Sequence, residues 1–337
     1  MSAENFLVIQ LRQIGDVVLT TPIPHILKEA RPGCRVSFLT ERPSDQLLQG
    51  NPHIDEILIN DRKGSWLDTL RLAADLRRRR FDVVLDFLAN PRSALLAWLS
   101  RAPMRIAFPV PGRGILYTHR IPSEKRYAVE IKKLLLRPLG IESPLDRPEL
   151  YLTGPERAAG AAARAHLIAG SEGRLVTVDP SHRRATRRWP AEHYGRLCRL
   201  VRDELDAVPA VLWGPGEEGL AETVAVESRG AAVVAPPTRL REMAALIGAA
   251  DLHLGNCSAP RHIAVAVGTP TFTVLGSTSA GWTHPAAEHT QIALGLECQP
   301  CNRNQCDRER ACLTGLTPEA VFHQLSGWVR HTLGWGV

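Results

Sequence analysis

Aromatic residues are scarce, at 5% of 337 residues. They are not interleaved with basic runs, so the stacking platforms of RNA-binding proteins are missing and no nucleic-acid partner is expected. No apolar run approaches the ~20 residues of a membrane span. The opening MSAENFLVIQ passes straight into an apolar run and lacks the cationic region of an export signal. A cytosolic chain is expected, with its seven cysteines not paired as structural disulfides. No P-loop, H-E-x-x-H or G-x-S-x-G occurs, and the turn after the first apolar run is no G-x-G-x-x-G. No Asp-x-Asp is placed to hold a divalent metal on a diphosphate, so catalysis is expected to need no cofactor.

What is present is a long chain with surplus positive charge. Its length favours two domains. Hydrophobic content of 44% and charged content of 23% fit a globular protein. The net charge of +6 asks for an anionic partner: a phosphorylated substrate or an acidic membrane surface.

Short apolar runs alternate with helical patterns throughout. In the first half, residues 7–11, 36–40, 56–60, 82–87 and 104–108 read as strands. Residues 67–80 and 93–101 read as helices, and 127–136 is a further helical stretch. The alternation restarts after 173, with strands at 174–178, 210–213, 231–234, 251–255 and 270–275. Helices are expected at 190–201, up to 228, at 240–248, 259–267 and 318–333. This pattern predicts an α/β chain of two doubly wound parallel sheets facing a central cleft. The boundary is expected between about 143 and 173.

Four strand-to-helix junctions carry candidate chemistry, because ligands of open α/β sheets bind at strand carboxyl ends. The first is residues 7–24, LVIQLRQIGDVVLTTPIP. Gly15 is expected to make a tight turn and Asp16 to open a helix, either as a crevice carboxylate or simply as a first-turn acid favoured by the helix dipole. The second is the loop 179–189, DPSHRRATRRW, with Ser181, His182, Arg187 and Arg188. Arginine forks match phosphate oxygens bidentately. The third is Asn256-Cys257-Ser258 with His262 one turn into the following helix, where free N–H groups favour an anion. Ser258 is equally an N-cap candidate, and a histidine there is often structural. The fourth is 214–218, GPGEE, where Glu217 offers a carboxylate for ribose hydroxyls. Separately, the loop 110–126 is basic and includes Arg113 and Arg120.

Cys298, Cys301, Cys306 and Cys312 form the other cluster. Four thiols in one loop suit a structural zinc ion. Free thiols, or disulfides formed on oxidation, are the alternatives.

Taken together these motifs resemble glycosyltransferase family nine, the ADP-heptose:lipopolysaccharide heptosyltransferases. Its G-D-x-x-L-x-T-P is matched by Gly15 to Pro22, and a D-L-x-x-x-x-R-S-A-like stretch by Asp86 to Ala94 with Arg92. Its K/R-x-W-P is matched by Arg187 to Pro190, and its G-N-D-S-G-P-x-H-x-A partly by Gly255 to Ala264. In that last motif the family's Asp falls on Cys257 and its Gly on Ala259, so a neutral thiol replaces a charged acceptor for sugar hydroxyls. The resemblance spans essentially the whole chain.

It implies the GT-B fold, with an acceptor domain over 1–155, a sugar-nucleotide domain over 170–316 and a final helix, 317–337, returning to the first domain. Asp16 would be the general base of an inverting transfer of heptose from ADP-heptose to a lipopolysaccharide core acceptor of the lipid A–Kdo type. Ser181, Arg187, Arg188, Glu217, Asn256, Cys257, Ser258 and His262 would bind the donor. Gly15, Arg92, Arg113 and Arg120 would bind the anionic, lipid-linked acceptor. The protein would work in the cytoplasm, peripheral to the inner membrane of a Gram-negative bacterium. A sugar-nucleotide epimerase, or a non-catalytic sugar-nucleotide- or lipid-binding protein, are the alternatives on the same fold.

Overall fold

The structure, a computed structural model, describes residues 4–169 and 173–336. Residues 170–172, within the expected boundary segment, lie outside the described residues. The chain divides into two units, Met1–Tyr151 and Leu152–Val337.

In the first unit, strands β1 (Asn5–Ile9), β2 (Arg35–Thr40), β3 (Glu56–Ile59), β4 (Val83–Asp86), β5 (Met104–Ala107) and β6 (His119–Arg120) form one parallel sheet. Helices α1 (Ile14–Val18), α2 (Pro22–Ala30), α3 (Trp66–Arg78), α4 (Pro91–Leu99) and α5 (Ala128–Lys133) connect and cover it. Side chains alternate along each strand, and both faces are covered. Phe6, Val8, Val36, Phe38 and Leu85 feed one core, while Leu7, Ile9, Leu39 and Val84 feed the other. Burial on both faces explains why β1 and β4 read as nearly unbroken apolar runs.

The second unit opens with α6 (Gly154–Leu167), which packs on its own unit's α9 (Leu240–Gly248). Gly160 is the contact: a Cβ there would stand 2.3 Å from the Ala245 carbonyl oxygen. The strands are β7 (Arg174–Asp179), β8 (Ala207–Val211), β9 (Val233–Val234), β10 (Leu252–Asn256), β11 (Thr271–Val274) and β12 (His289–Ile292). The remaining helices are α7 (Ala191–Leu205), α8 (Glu218–Glu227), α10 (Ala259–Val267), α11 (Ala311–Thr314) and α12 (Pro318–Leu333).

The two sheets have the same topology. Their orders, β3-β2-β1-β4-β5-β6 and β12-β11-β10-β7-β8-β9, are each the doubly wound order of a dinucleotide-binding fold. Strand order reverses between β1 and β4 in one unit and between β7 and β10 in the other. A doubly wound sheet opens its ligand crevice there, at the strands' carboxyl ends.

Two expectations need correction. Helix α1 begins at Ile14, so Gly15 lies inside its first turn and is no turn residue. The weak strands β6 and β12 were not expected; one has two residues and the other alternates His, Thr and Gln, so neither makes an apolar run. The last helix packs within the second unit. Its i, i+4, i+8 stripe of Val321, Leu325 and Val329 is buried in that unit's core, against α7. Trp328 Nε1 donates to the Ala287 carbonyl at 3.1 Å. The apolar stripe is satisfied locally.

Candidate functional site

At the crevice of the first unit, Asp16 sits half-buried in the first turn of α1. Its Oδ2 accepts from the Gln13 backbone N–H at 3.4 Å, a loose cap. The buried Lys132 of α5 stands beside this turn. Its ammonium donates to Gln10 Oε1 at 2.9 Å and lies 5.3 Å from the centre of the Phe87 ring. Burial pushes the Lys132 pKa down to about 8, and the negative charge of Asp16 partly offsets that. Lys132 escaped the sequence reading, although the signal was present. It occupies a core position in a stripe with Ala128, Val129 and Leu135, where a lone cation is out of place.

At the end of β4, buried Asp86 organises the loop that leads to α4. It accepts from the Leu88 and Ala89 N–H groups at 3.0 and 2.9 Å and from the Tyr117 hydroxyl at 2.7 Å. Arg92 opens α4 and reaches the Asp61 and Arg62 carbonyls, while Arg113 Nε donates to the Ala89 carbonyl at 3.1 Å. These two arginines therefore flank one loop at the sheet's carboxyl edge. Arg120 lies in β6 against Gly114.

In the second unit the expected donor residues converge at the switch point. Asp179, the last residue of β7, accepts from Ser258 Oγ and, through Oδ1, from the Ser181 N–H at 3.0 Å. Asn256 Oδ1 accepts from the Trp189 N–H at 3.1 Å. Its Nδ2 donates to the Ser181 carbonyl at 3.4 Å. Gly255 allows this closeness, since a Cβ there would be 2.8 Å from the Asp179 carbonyl oxygen. Ser258 takes the N-cap position of α10 but spends its hydroxyl on Asp179, making no side-chain cap bond. Cys257 and His262 are buried next to it, and the His262 ring faces Trp282 at 6.1 Å.

Glu217 caps the next junction by accepting from the Gly214 N–H at 3.1 Å. Residues 214–219 spell G-x-G-x-x-G, but they follow the unit's second strand, not its first, so the dinucleotide arrangement does not apply.

Charge in this crevice is strongly perturbed. Burial raises the Asp179 carboxyl to about 6, against hydrogen bonds from Ser258 and Ser181 that lower it, with Glu217 adding to the rise. Burial, then Arg187, Arg183 and Arg184, lower His182 to about 4, so it is neutral near pH 7. Asp179 was not singled out as a candidate: it opens the 179–189 loop, whose arginines and His182 carry the visible charge. An ionised Asp179 repels a diphosphate. We therefore expect affinity for a nucleoside-diphosphate sugar, whose diphosphate does not titrate here, to weaken about fivefold between pH 5 and 7. Calorimetry should show Asp179→Asn without that slope; an equal slope in both proteins would clear Asp179 of the effect.

Cys298, Cys301, Cys306 and Cys312 all line one small cavity of about 20 Å³, with Thr186 and Ser277. All four are free thiols. Burial, then the other three sulfurs, push the Cys312 thiol up, which a cation among them would reverse. The donor set suits a thiolate-bound ion, but the sulfurs do not yet stand at ligand spacing. Among the described residues, the trio of ligand atoms within 4.8 Å of one another is His25, His53 and Glu149. That trio is not ready-made either, because the two imidazoles are stacked 3.8 Å apart at 6° and share no plane for a cation.

The model of glycosyltransferase family 9 (heptosyltransferase) matches residues 69–311. The chain belongs to this family. It is 27% identical to lipopolysaccharide heptosyltransferase 3 of Escherichia coli K12, over 93% of this chain and 94% of the relative. A family 9 glycosyltransferase from Veillonella parvula superposes with a TM-score of 0.88 at 19% identity, covering 98% of this chain and 99% of the other. An E. coli heptosyltransferase solved with ADP-2-deoxy-2-fluoro heptose gives 0.72 at 19% identity, with 96% and 99% covered. The fold is thus GT-B and the protein a glycosyltransferase. Among the described residues, no helix is long and apolar enough to cross a membrane.

Proposed function

We propose that this family 9 enzyme transfers heptose from ADP-heptose to an anionic, lipid-linked acceptor of the lipopolysaccharide core, with inversion at the anomeric carbon. The observation that carries the reading is the crevice of the second unit, where Ser181, Asn256 and Ser258 are bonded around Asp179 beside the Arg187 loop. The fluoro-heptose analogue bound by the structural relative supports the same donor class.

In this mechanism Asp16 accepts the proton of an acceptor hydroxyl as that oxygen attacks the anomeric carbon. The anomeric carbon–oxygen bond breaks on the opposite face and ADP leaves. Arg187, Arg188 and the N–H groups that open α10 stabilise the leaving diphosphate. Glu217 is suited to ribose hydroxyls, and Cys257 replaces a carboxylate that would contact the sugar. Arg92 and Arg113 hold acceptor phosphates or carboxylates, and the enzyme works on the cytoplasmic face of the inner membrane. ADP release from ADP-heptose that requires a Kdo–lipid A acceptor tests the reading. Release equal with and without acceptor, or none from any ADP-sugar, would refute it.

The cysteine loop supports a structural zinc ion held by Cys298, Cys301, Cys306 and Cys312. Four thiolates leave no open position for catalysis. The loop also braces the arginine loop. Thr186 Oγ1 donates to the Arg303 carbonyl at 2.8 Å, and the Asn302 N–H to the Ser277 carbonyl at 2.9 Å. Chelation should therefore lower both the melting temperature and ADP affinity, since metal binding is folding free energy here. Elemental analysis of reduced protein should give one zinc per chain. Substoichiometric metal with all four thiols open to alkylation would leave them ordinary loop cysteines.

A further inference from the structure

One face of the first unit combines features that the proposed chemistry does not use. Trp66, Leu67 and Leu70 project from the first turns of α3, with Trp66 71% exposed. Leu95 and Trp98 form an exposed i, i+3 pair on α4, which packs on α3. Ile115, 89% exposed, follows in the segment Gly114–Leu116, which also touches α4. Three neighbouring elements thus present large apolar side chains to water. The buried sides of the same helices, through Ala73, Leu76, Ala94 and Ala97, already satisfy the core. Isolated exposed leucines are ordinary, but two tryptophans and four aliphatics on adjoining elements are not.

Charge says what covers them. Arg62, Lys63, Arg92, Arg101 and Arg113 border the patch, and none is ion-paired with a carboxylate among the described residues. Arg101 lies over the Trp98 ring at 5.3 Å. Two acids lie on the same segments: Asp68 is ion-paired with Arg71, and Asp61 accepts from the Lys63 N–H and keeps its charge, so the five cations leave the border net positive. An apolar tip with tryptophans and a net positive border complements one kind of surface. Tryptophan settles at headgroup depth, aliphatics enter the acyl boundary, and arginine and lysine meet anionic headgroups. A protein partner of matching shape would need no such net positive border.

We propose that the face formed by Trp66, Leu67, Leu70, Leu95, Trp98 and Ile115 docks on an anionic lipid bilayer. The inference deepens the reading of a lipid-linked acceptor and rests on it for its purpose. Arg92 and Arg113 belong both to the patch's border and to the loop at the sheet's carboxyl edge, so docking brings that loop to the headgroups.

The test is co-sedimentation of the full chain with vesicles of phosphatidylcholine plus phosphatidylglycerol, and of phosphatidylcholine alone. The wild type binds the anionic vesicles and loses them at high salt. Trp66→Ser with Ile115→Ser, both at exposed positions, lowers the partition coefficient about tenfold or more. Arg62→Glu with Lys63→Glu does the same through charge. Both variants keep the wild-type melting temperature, ADP affinity and transfer to a deacylated, water-soluble acceptor. Absence of transfer with intact vesicle binding would overturn the functional reading and leave the docking face standing. Vesicle binding that ignores phosphatidylglycerol, or that both variants retain, overturns the docking face. So does loss of self-association in the variants without loss of vesicle binding, which would assign the face to a second copy of the chain.

Discussion

Asp16→Asn should reduce turnover by about 10²–10⁴-fold while ADP binds as in the wild type, because general-base catalysis is typically of that size. The isostere preserves what the carboxylate does for the fold. Its one backbone contact, from the Gln13 N–H, is long at 3.4 Å, and an amide oxygen can accept it equally. The Thr20 hydroxyl bonds the Asp16 carbonyl at 2.7 Å, not its side chain, and is untouched. What the amide cannot do is take a proton. Lys132 keeps its Gln10 bond, so the crevice retains its shape. The measurement is initial-rate transfer beside ADP calorimetry. Near wild-type turnover would remove Asp16 from the chemistry; lost ADP affinity would make its role structural.

Much of the fold was legible because both sheets are buried on both faces. Strands such as Asn5–Ile9 and Val83–Asp86 therefore stand out as apolar runs, and Pro318–Leu333 shows its capped, periodic pattern without ambiguity. What failed had physical reasons. Gly15 suggests a turn, but the helix starts one residue earlier and its glycine is simply buried. In the site, the junction loops were found by charge and small residues. Lys132 was missed because it sits in an apolar pattern whose rule is that such residues do not occur, and Asp179 because it opens a loop whose arginines carry the visible charge. Their burial, which perturbs both, is visible only once the sheets are folded.

Arg187 is expected to be the principal diphosphate anchor, and the reason lies in how its loop is held. Arg183 and Arg184 are exposed, so water screens their charge and their long side chains lose entropy on binding. Arg187 is half-buried, with its Nε out of contact with water, and its charge is felt strongly enough to depress His182. The backbone beneath it is fixed: the Ser277 N–H donates to the Thr186 carbonyl at 3.0 Å, and Thr186 is itself buried. Gly276 packs so near that a Cβ would stand 2.5 Å from that carbonyl oxygen. A guanidinium on such a base is preorganised to meet phosphate oxygens. A charge-assisted hydrogen bond contributes about 1.5–3 kcal/mol, so Arg187→Ala should weaken ADP binding about ten- to a hundredfold. Adenosine, which has no phosphate, should bind the variant almost as well as the wild type. Arg187→Lys should recover part of the loss, because it restores the charge without the fork. Arg183→Ala with Arg184→Ala should change ADP affinity little at physiological salt. Calorimetry across these variants decides the matter. Equal ADP affinity in the wild type and Arg187→Ala would move the diphosphate elsewhere, and a parallel loss of adenosine binding would show that the loop, not the charge, had been damaged.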